Sequence, residues 1–162
     1  MLQVGGVAAG NLGTMHQAPV TPWGNNEELA EEYARDPKAF LMERCDLWTP
    51  HCSFMGSLVC CATYYLPAFD ILPNGTKFYR TDTSHNEALW QGKVGLVVGK
   101  GPLAFRDEPA LGVYFHDQNV EIGDWVQWDI HDARQATLNR IHCRYVKDTA
   151  IIGKWDDPRF VY

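Results

Sequence analysis

Across residues 90–105 the sequence WQGKVGLVVGKGPLAF sets Val94, Leu96 and Val98 against Lys93, Gly95 and Val97. That alternation suits a half-buried strand. Gly99 and Gly101 break the strand and Pro102 forbids its simple continuation, because proline brings no N–H to a ladder. Glycines in that position are expected where a β-corner turns through unusual φ values. A second strand is predicted at 125–129, restarted by the tight-turn pair Gly123-Asp124. Residues 58–66, LVCCATYYL, form a continuous apolar run and predict a buried strand. Over 138–146, Ile141, Cys143 and Tyr145 alternate with Arg140, His142 and Arg144, as in a strand with one wet side. Residues 150–155 supply a last short strand, and a hairpin or flap is expected around Gly112-Val-Tyr-Phe115. Five or more short strands with glycine corners predict a mainly β fold: a small, closed or partly closed barrel.

Helical periodicity is confined to residues 25–44. Asn26 can cap a helix whose first turn holds Glu27 and Glu28, and Leu29 and Tyr33 share a face. Asp36-Pro37 then predicts a cap and first residue for a second short helix carrying Phe40, Leu41 and Arg44. Residues 1–24, rich in Gly, Ala, Asn, Thr and Pro, read as an extended N-terminal arm. The connection 67–86, PAFDILPNGTKFYRTDTSHN, shows no period, and such long loops are usually functional. The expected organisation is an arm over 1–24, a short helical segment and loop over 25–56, the barrel over 57–155 and a C-terminal tail over 156–162.

Composition narrows the function classes. A chain of 162 residues, 46% hydrophobic and 21% charged, is a globular protein of one domain with appendages. A net charge of −6 and the lack of any basic run give no general attraction to nucleic acid. No apolar run approaches the roughly 20 residues that span a bilayer, and residues 1–15 lack the basic leader and compact apolar core of a signal peptide. Neither nucleic acid nor membrane is an expected partner. Five cysteines, an odd number without a C-x-x-C pair, predict reduced and mostly buried thiols.

Candidate chemistry is sparse. His51-Cys52 and His142-Cys143 pair metal-ligating types, but adjacent strand residues point to opposite faces and cannot readily share one ion. Cys60-Cys61 has the same difficulty. Gly99-Lys100-Gly101-Pro102 lacks the remaining glycines and the Ser or Thr of a phosphate loop, and Ser84-His85 has no nucleophile-elbow context. The expectation is a non-enzyme with no catalytic residue, cofactor or metal.

The order of elements carries a resemblance. An apolar strand, a loop with Ile71-Leu72-Pro73, the segment Gln91-Gly92-Lys93-Val94-Gly95 running into LVVGKGP, then Val120-Glu-Ile-Gly123-Asp124-Trp-Val126 and a Cys143-Arg144 strand resemble the GroES-type co-chaperonin barrel over residues 58–155. In detail the chain looks more like the GroES-like proteins of tailed bacteriophages, several of which are virion structural proteins. That resemblance implies a capsid-associated decoration or stabilising subunit, or a neck subunit, assembled in the host cytoplasm and located in the virion. Its partners would be the major capsid protein or other virion proteins, with further copies of itself. The residues expected to meet them are Trp23 at the root of the arm, Phe69, Ile71, Leu72, Phe78 and Tyr79 in the 67–86 loop, and Phe160 and Tyr162 in the tail. A second implication is a co-chaperonin that caps a chaperonin ring, with Ile71 and Leu72 matching the family's ring-binding residues. The first strand's Cys60-Cys61 and the 55-residue N-terminal extension depart from that family.

Overall fold

A computed structural model describes residues 21–81 and 92–161. Two short helices precede a mainly β domain. Helix α1 is Glu27–Arg35 and α2 is Pro37–Cys45. Asn26 accepts hydrogen bonds from the Glu28 and Leu29 amides, and Asp36 accepts from Ala39 N at 3.0 Å, so both caps work as the sequence predicts. Pro37 opens α2, where its missing N–H costs nothing.

The strands are β1 (Leu58–Thr63), β2 (Phe69–Ile71), β3 (Lys77–Tyr79), β4 (Val94–Lys100), β5 (Trp125–Trp128), β6 (Ala133–Leu138), β7 (Ile141–Lys147) and β8 (Ile151–Trp155). Six of them form one antiparallel sheet in the order β6-β7-β1-β4-β5-β8, and β2 pairs with β3 in a separate hairpin. The fold is therefore mainly β, as expected from the periods of two. Both edge strands contribute to one inner core. Ala133 of β6 and Ile151 of β8 pack on the same cluster as Val59, Cys61, Val97, Val126, Trp128 and Val146. The sheet is thus curled like a barrel whose two margins are not joined by a ladder. Two bulges assist the curl: Val98 is an extra residue opposite Cys60 and Cys61, and Ile152 one opposite Gln127 and Trp128.

The outer face of the sheet is covered as well. Tyr33, Phe40, Leu41 and Cys45 from the helices pack on Cys60, Ala62, Leu96, Trp125 and Cys143. Tyr33 stacks edge-on against Phe40, and its hydroxyl accepts from Tyr65 N at 2.9 Å. Burial on both faces explains why β1 reads as a continuous apolar run, and it corrects the half-buried expectation for β4, in which residues 94–99 are all buried. The helical segment is a layer of the fold, sharing one core with the sheet.

Several expectations change in the structure. Gly99 and Gly101 do not occupy positive φ. They are glycines because neighbours come too close: a Cβ at Gly101 would lie 2.1 Å from the Gly56 carbonyl oxygen, and one at Gly99 would lie 2.3 Å from the Phe54 ring. Gly123, at φ 98°, does make the expected turn, and its amide donates to Val97 O at 2.8 Å. The polar face of β7 is not wet. Arg144 is only 7% exposed, and a Cβ at Gly92 would fall 2.7 Å from its guanidinium. On that face His142 meets Tyr65 edge-on. Strand β6 has no counterpart among the expected strands: it joins β7 through Asn139 and Arg140, both at positive φ, the geometry of a type I′ hairpin turn. The 67–86 connection holds a hairpin over 69–79 closed around Asn74-Gly75, and the flap around Gly112 is a short 3₁₀ turn at 109–111 with a bridge between Glu108 and Val113.

Candidate partner-binding surfaces

The β2–β3 hairpin is strapped to the helical layer. Phe69 pairs with Tyr79 and Ile71 with Lys77 on one side, whereas Asp70 pairs with Phe78 on the other. Lys77 reaches α1, where its Nζ lies 2.8 Å from Glu27 Oε1 and also bridges Glu31. The hydrogen bond and charge of Lys77 hold the Glu31 carboxyl below its ordinary range, and the two carboxylates raise the Lys77 ammonium. Arg80 closes the base of the hairpin on Asp70 at 2.8 Å.

Of the residues expected to meet a partner, this arrangement divides inward from outward. Phe69 is 6% exposed and lies beneath the Lys77 ammonium, 4.9 Å from its ring centroid, so it supports the hairpin from below. Phe78 and Tyr79 stand out at 63% and 61% exposed, with Leu72 beside the turn also exposed and Ile71 half-buried. Trp23 is half-buried, its ring 4.6 Å from that of Tyr33, and so anchors the root of the arm to its own domain. In the tail, Val161 is buried in the outer core while Phe160, on the 3₁₀ turn Pro158–Phe160, is exposed. The Arg159–Asp157 ion pair fixes that turn; their hydrogen bonds lower the Asp157 carboxyl and raise the Arg159 guanidinium. Tyr162 and residues 1–20 lie outside the described residues.

A further surface carries no clear sequence signal. The segment 103–122 lies over one margin of the barrel and bounds a cleft of about 510 Å³ against β8. Phe105 and Phe115 meet edge to face at 5.6 Å on one wall, with Val120 between them and the core. Ile151, Ile152 and Gly153 form the other wall. Buried Asp148 holds the segment down by accepting from Phe105 N at 3.0 Å and Thr149 N at 2.7 Å. The doublet Phe105 and Phe115 is visible in the sequence, but its proximity to β8 depends on contacts 36 or more residues apart.

The groups that suggested chemistry are used structurally. Lys100 Nζ donates to Val120 O at 2.8 Å and Asn119 Oδ1 at 3.3 Å, tying β4 to the turn before β5. All five cysteines are free; Cys52 alone is exposed. The hydrogen bond to Cys143, together with burial, pushes the Cys45 thiol up. At Cys143 the bond to Cys45 acts downward, but the bond to Cys60 and burial outweigh it and the thiol is raised too. Burial does the same for Cys61. Thiols so shifted are poor nucleophiles at neutral pH. Burial and the charge of Arg144 push the His142 imidazolium below its ordinary range. Among the described residues, no group of three or more His, Cys, Asp or Glu side chains is placed to hold a metal ion. Compared with protein-family models and with curated proteins, the chain matches none.

Proposed function

We propose that this chain is a virion structural protein of a tailed bacteriophage: a GroES-like barrel that attaches to the capsid, or to the neck, and stabilises it. The observation that carries the reading is the strapped hairpin, which presents Phe78 and Tyr79 to solvent from a base fixed by Lys77 and Arg80. Large aromatics held rigid on a projecting element lose little conformational entropy when covered, and such residues are enriched where proteins meet. Exposed Phe160 on the pinned tail turn supplies a second contact, and the arm a third. Several weak contacts on one chain reinforce one another through effective concentration. The partners on this reading are the major capsid protein or another virion protein together with further copies of the chain, and the work is clamping without covalent chemistry. Mass spectrometry of gradient-purified particles tests it: the chain is expected at stoichiometric abundance, and its absence from the particle would overturn the proposal.

A second reading has one observation in its favour. Ile71 and Leu72 lie side by side where β2 enters its turn, with Leu72 exposed, as a co-chaperonin needs for docking on a chaperonin ring. Retention on immobilised chaperonin with ADP, lost in Leu72→Ser, would select this reading over the first.

A further inference from the structure

Where the α1–α2 junction, the start of β2 and the tail turn meet, the surface opens into a cleft of about 320 Å³, within the range of about 300–1,000 Å³ typical of small-molecule sites. Tyr64, which follows β1, lines this cleft and is only 4% exposed. Its ring is fixed from two sides, with the Tyr33 ring stacked 6.1 Å away and Trp125 edge-on at 5.4 Å. Its hydroxyl, unlike that of Tyr33, has no hydrogen-bond partner among the described residues. A buried hydroxyl left unpaired costs free energy, and native chains rarely leave one so without a use. The charges it feels give its direction. Burial pushes the phenol up, Arg159 and Arg80 act downward on it, and Asp157 and Asp70 act upward. The hydroxyl therefore points toward the Asp157–Arg159 and Asp70–Arg80 pairs, and Asp70, Asp157 and Arg159 all line the cleft. A second buried atom without a partner among the described residues, Arg80 Nη1, belongs to one of those same pairs.

The chemistry of the cleft selects its occupant. Asp70 and Asp157 are already neutralised by guanidinium groups 2.8 and 2.6 Å away, and the Asp36 carboxylate caps α2. Asp156 shares the cleft with Lys38 and Arg35. An ion entering so balanced a site would lose hydration without gaining a counter-charge. A hydroxyl group suits it, because it donates and accepts at once and can meet the carboxylate and the guanidinium of one pair together. The rest of the lining is largely apolar, with Pro37, Pro67, Pro158 and Trp125 offering a surface for C–H groups. Neutral molecules that carry adjacent hydroxyls on a C–H framework are sugars. We propose that this cleft binds a neutral pyranose sugar, with one ring hydroxyl paired to the Tyr64 hydroxyl and others to the Asp157–Arg159 and Asp70–Arg80 pairs. Two of its three walls, the helical junction and the tail turn, lie outside residues 58–155, so the site is an addition to the barrel. It is also independent of where the chain assembles.

The test uses the purified full chain, ¹⁵N-labelled, titrated with the methyl pyranosides of glucose, galactose, mannose and N-acetylglucosamine. Glycine and inorganic phosphate serve as zwitterionic and anionic comparisons. At least one glycoside is expected to shift the Trp125 indole signal and the amides of Asp156, Asp157 and Arg159 saturably, with a millimolar Kd. Glycine and phosphate should leave those signals in place. Tyr64→Phe removes the hydroxyl and keeps the ring. It should bind the same glycoside about tenfold more weakly, the effect of one lost hydrogen bond. Its urea midpoint without sugar should equal or exceed the parent's, since the missing hydroxyl had no partner to lose. Silence from every glycoside, or saturable shifts with glycine or phosphate in their place, would overturn the proposal. Parent-like affinity in Tyr64→Phe would do the same. So would a lowered midpoint without sugar, which would mean that the hydroxyl is bonded within the protein.

Discussion

Replacing Gly101 by alanine separates two reasons for a glycine. Its φ is ordinary, so alanine is acceptable to the local backbone, but the new Cβ would sit 2.1 Å from Gly56 O and 2.7 Å from Met55 O. Both obstacles are backbone atoms and cannot swing away. Reaching a normal separation takes a displacement of about 1 Å, on a segment held by Gly101 N donating to Leu58 O at 2.7 Å and Leu103 N donating to Gly56 O at 2.9 Å. Stretching both bonds costs about 1 kcal/mol each, and overpacking adds about 1–3 kcal/mol, so the expected loss is about 3–5 kcal/mol. With a urea m-value of about 2 kcal/mol/M, the midpoint falls by about 2 M. Gly112→Ala is the control: its φ is +70° and nothing lies within 4 Å of its Cβ, so only the left-handed strain of about 1–2 kcal/mol applies. Gly99→Ala should fall between the parent and Gly101→Ala, because its obstacle is the Phe54 side chain, which can rotate. Urea melts of the three variants decide the matter. A Gly101→Ala protein no less stable than Gly112→Ala would refute the close-approach argument.

Three more outcomes follow from geometry already described. Arg140→Gly relieves left-handed strain in the β6–β7 turn and should stabilise the chain by about 0.5–1 kcal/mol in the same melts; destabilisation would mean that the Arg140 side chain matters more than its backbone. The Lys77 strap lowers the Glu31 carboxyl, so its contribution is present above the unfolded carboxylate value of about 4.3 and is lost as pH falls through the lower folded value. Hydrogen-exchange protection of the Phe78 and Tyr79 amides, corrected for intrinsic rates, should decline across that acid range in the parent and be low throughout in Lys77→Met; identical profiles would dismiss the strap. Ellman's reagent should titrate one thiol promptly in the native chain, Cys52, and four more only after unfolding; a second fast thiol would contradict the buried cluster.

What the sequence makes legible is local. Asn26, Asp36 and Pro37 act within one helical turn, so they can be read without knowing the partners; the period of β4 shows a strand, but that both its faces are buried depends on the helices and the rest of the sheet. The Gly123-Asp124 turn is readable for the same reason. Strand β6 is not, because its exposed Arg134, Gln135 and Thr137 leave no apolar period, and a turn of Asn139-Arg140 lacks the glycine that would mark it. The hairpin over 69–79 has its signal in Pro73-Asn74-Gly75, obscured by the length of polar and aromatic chain around it. Arg144 escapes the pattern because alternation separates two faces of a strand without telling whether the polar one meets solvent or neighbouring chain, here Gly92. Among the expected contact residues, Phe69 and Tyr79 share one side of the hairpin and Phe78 takes the other, so alternation does not tell that Phe69 is buried beneath Lys77 while Phe78 and Tyr79 are exposed. The β8 cleft is least legible, being an arrangement of segments far apart in the chain.

Strand β1 bears on how the chain is made. It is bonded to β4 on one side and to β7 on the other, and Val59 faces Val146, 146 minus 59 or 87 positions later. At about 5–20 residues per second of synthesis, the later of those neighbours arrives about 4–17 s after β1 has been made. Throughout that interval LVCCAT would be a sticky, half-paired segment inside a living cell. The helices come earlier in the chain, and Tyr33, Phe40 and Leu41 are the residues that cover this strand's outer face. Helical turns form in microseconds or less, but helices of 9 residues are marginal alone, so the pair and the outer face of β1 stabilise each other. Because the helices are made first, that face has its cover available as soon as β1 is synthesised, well before β7.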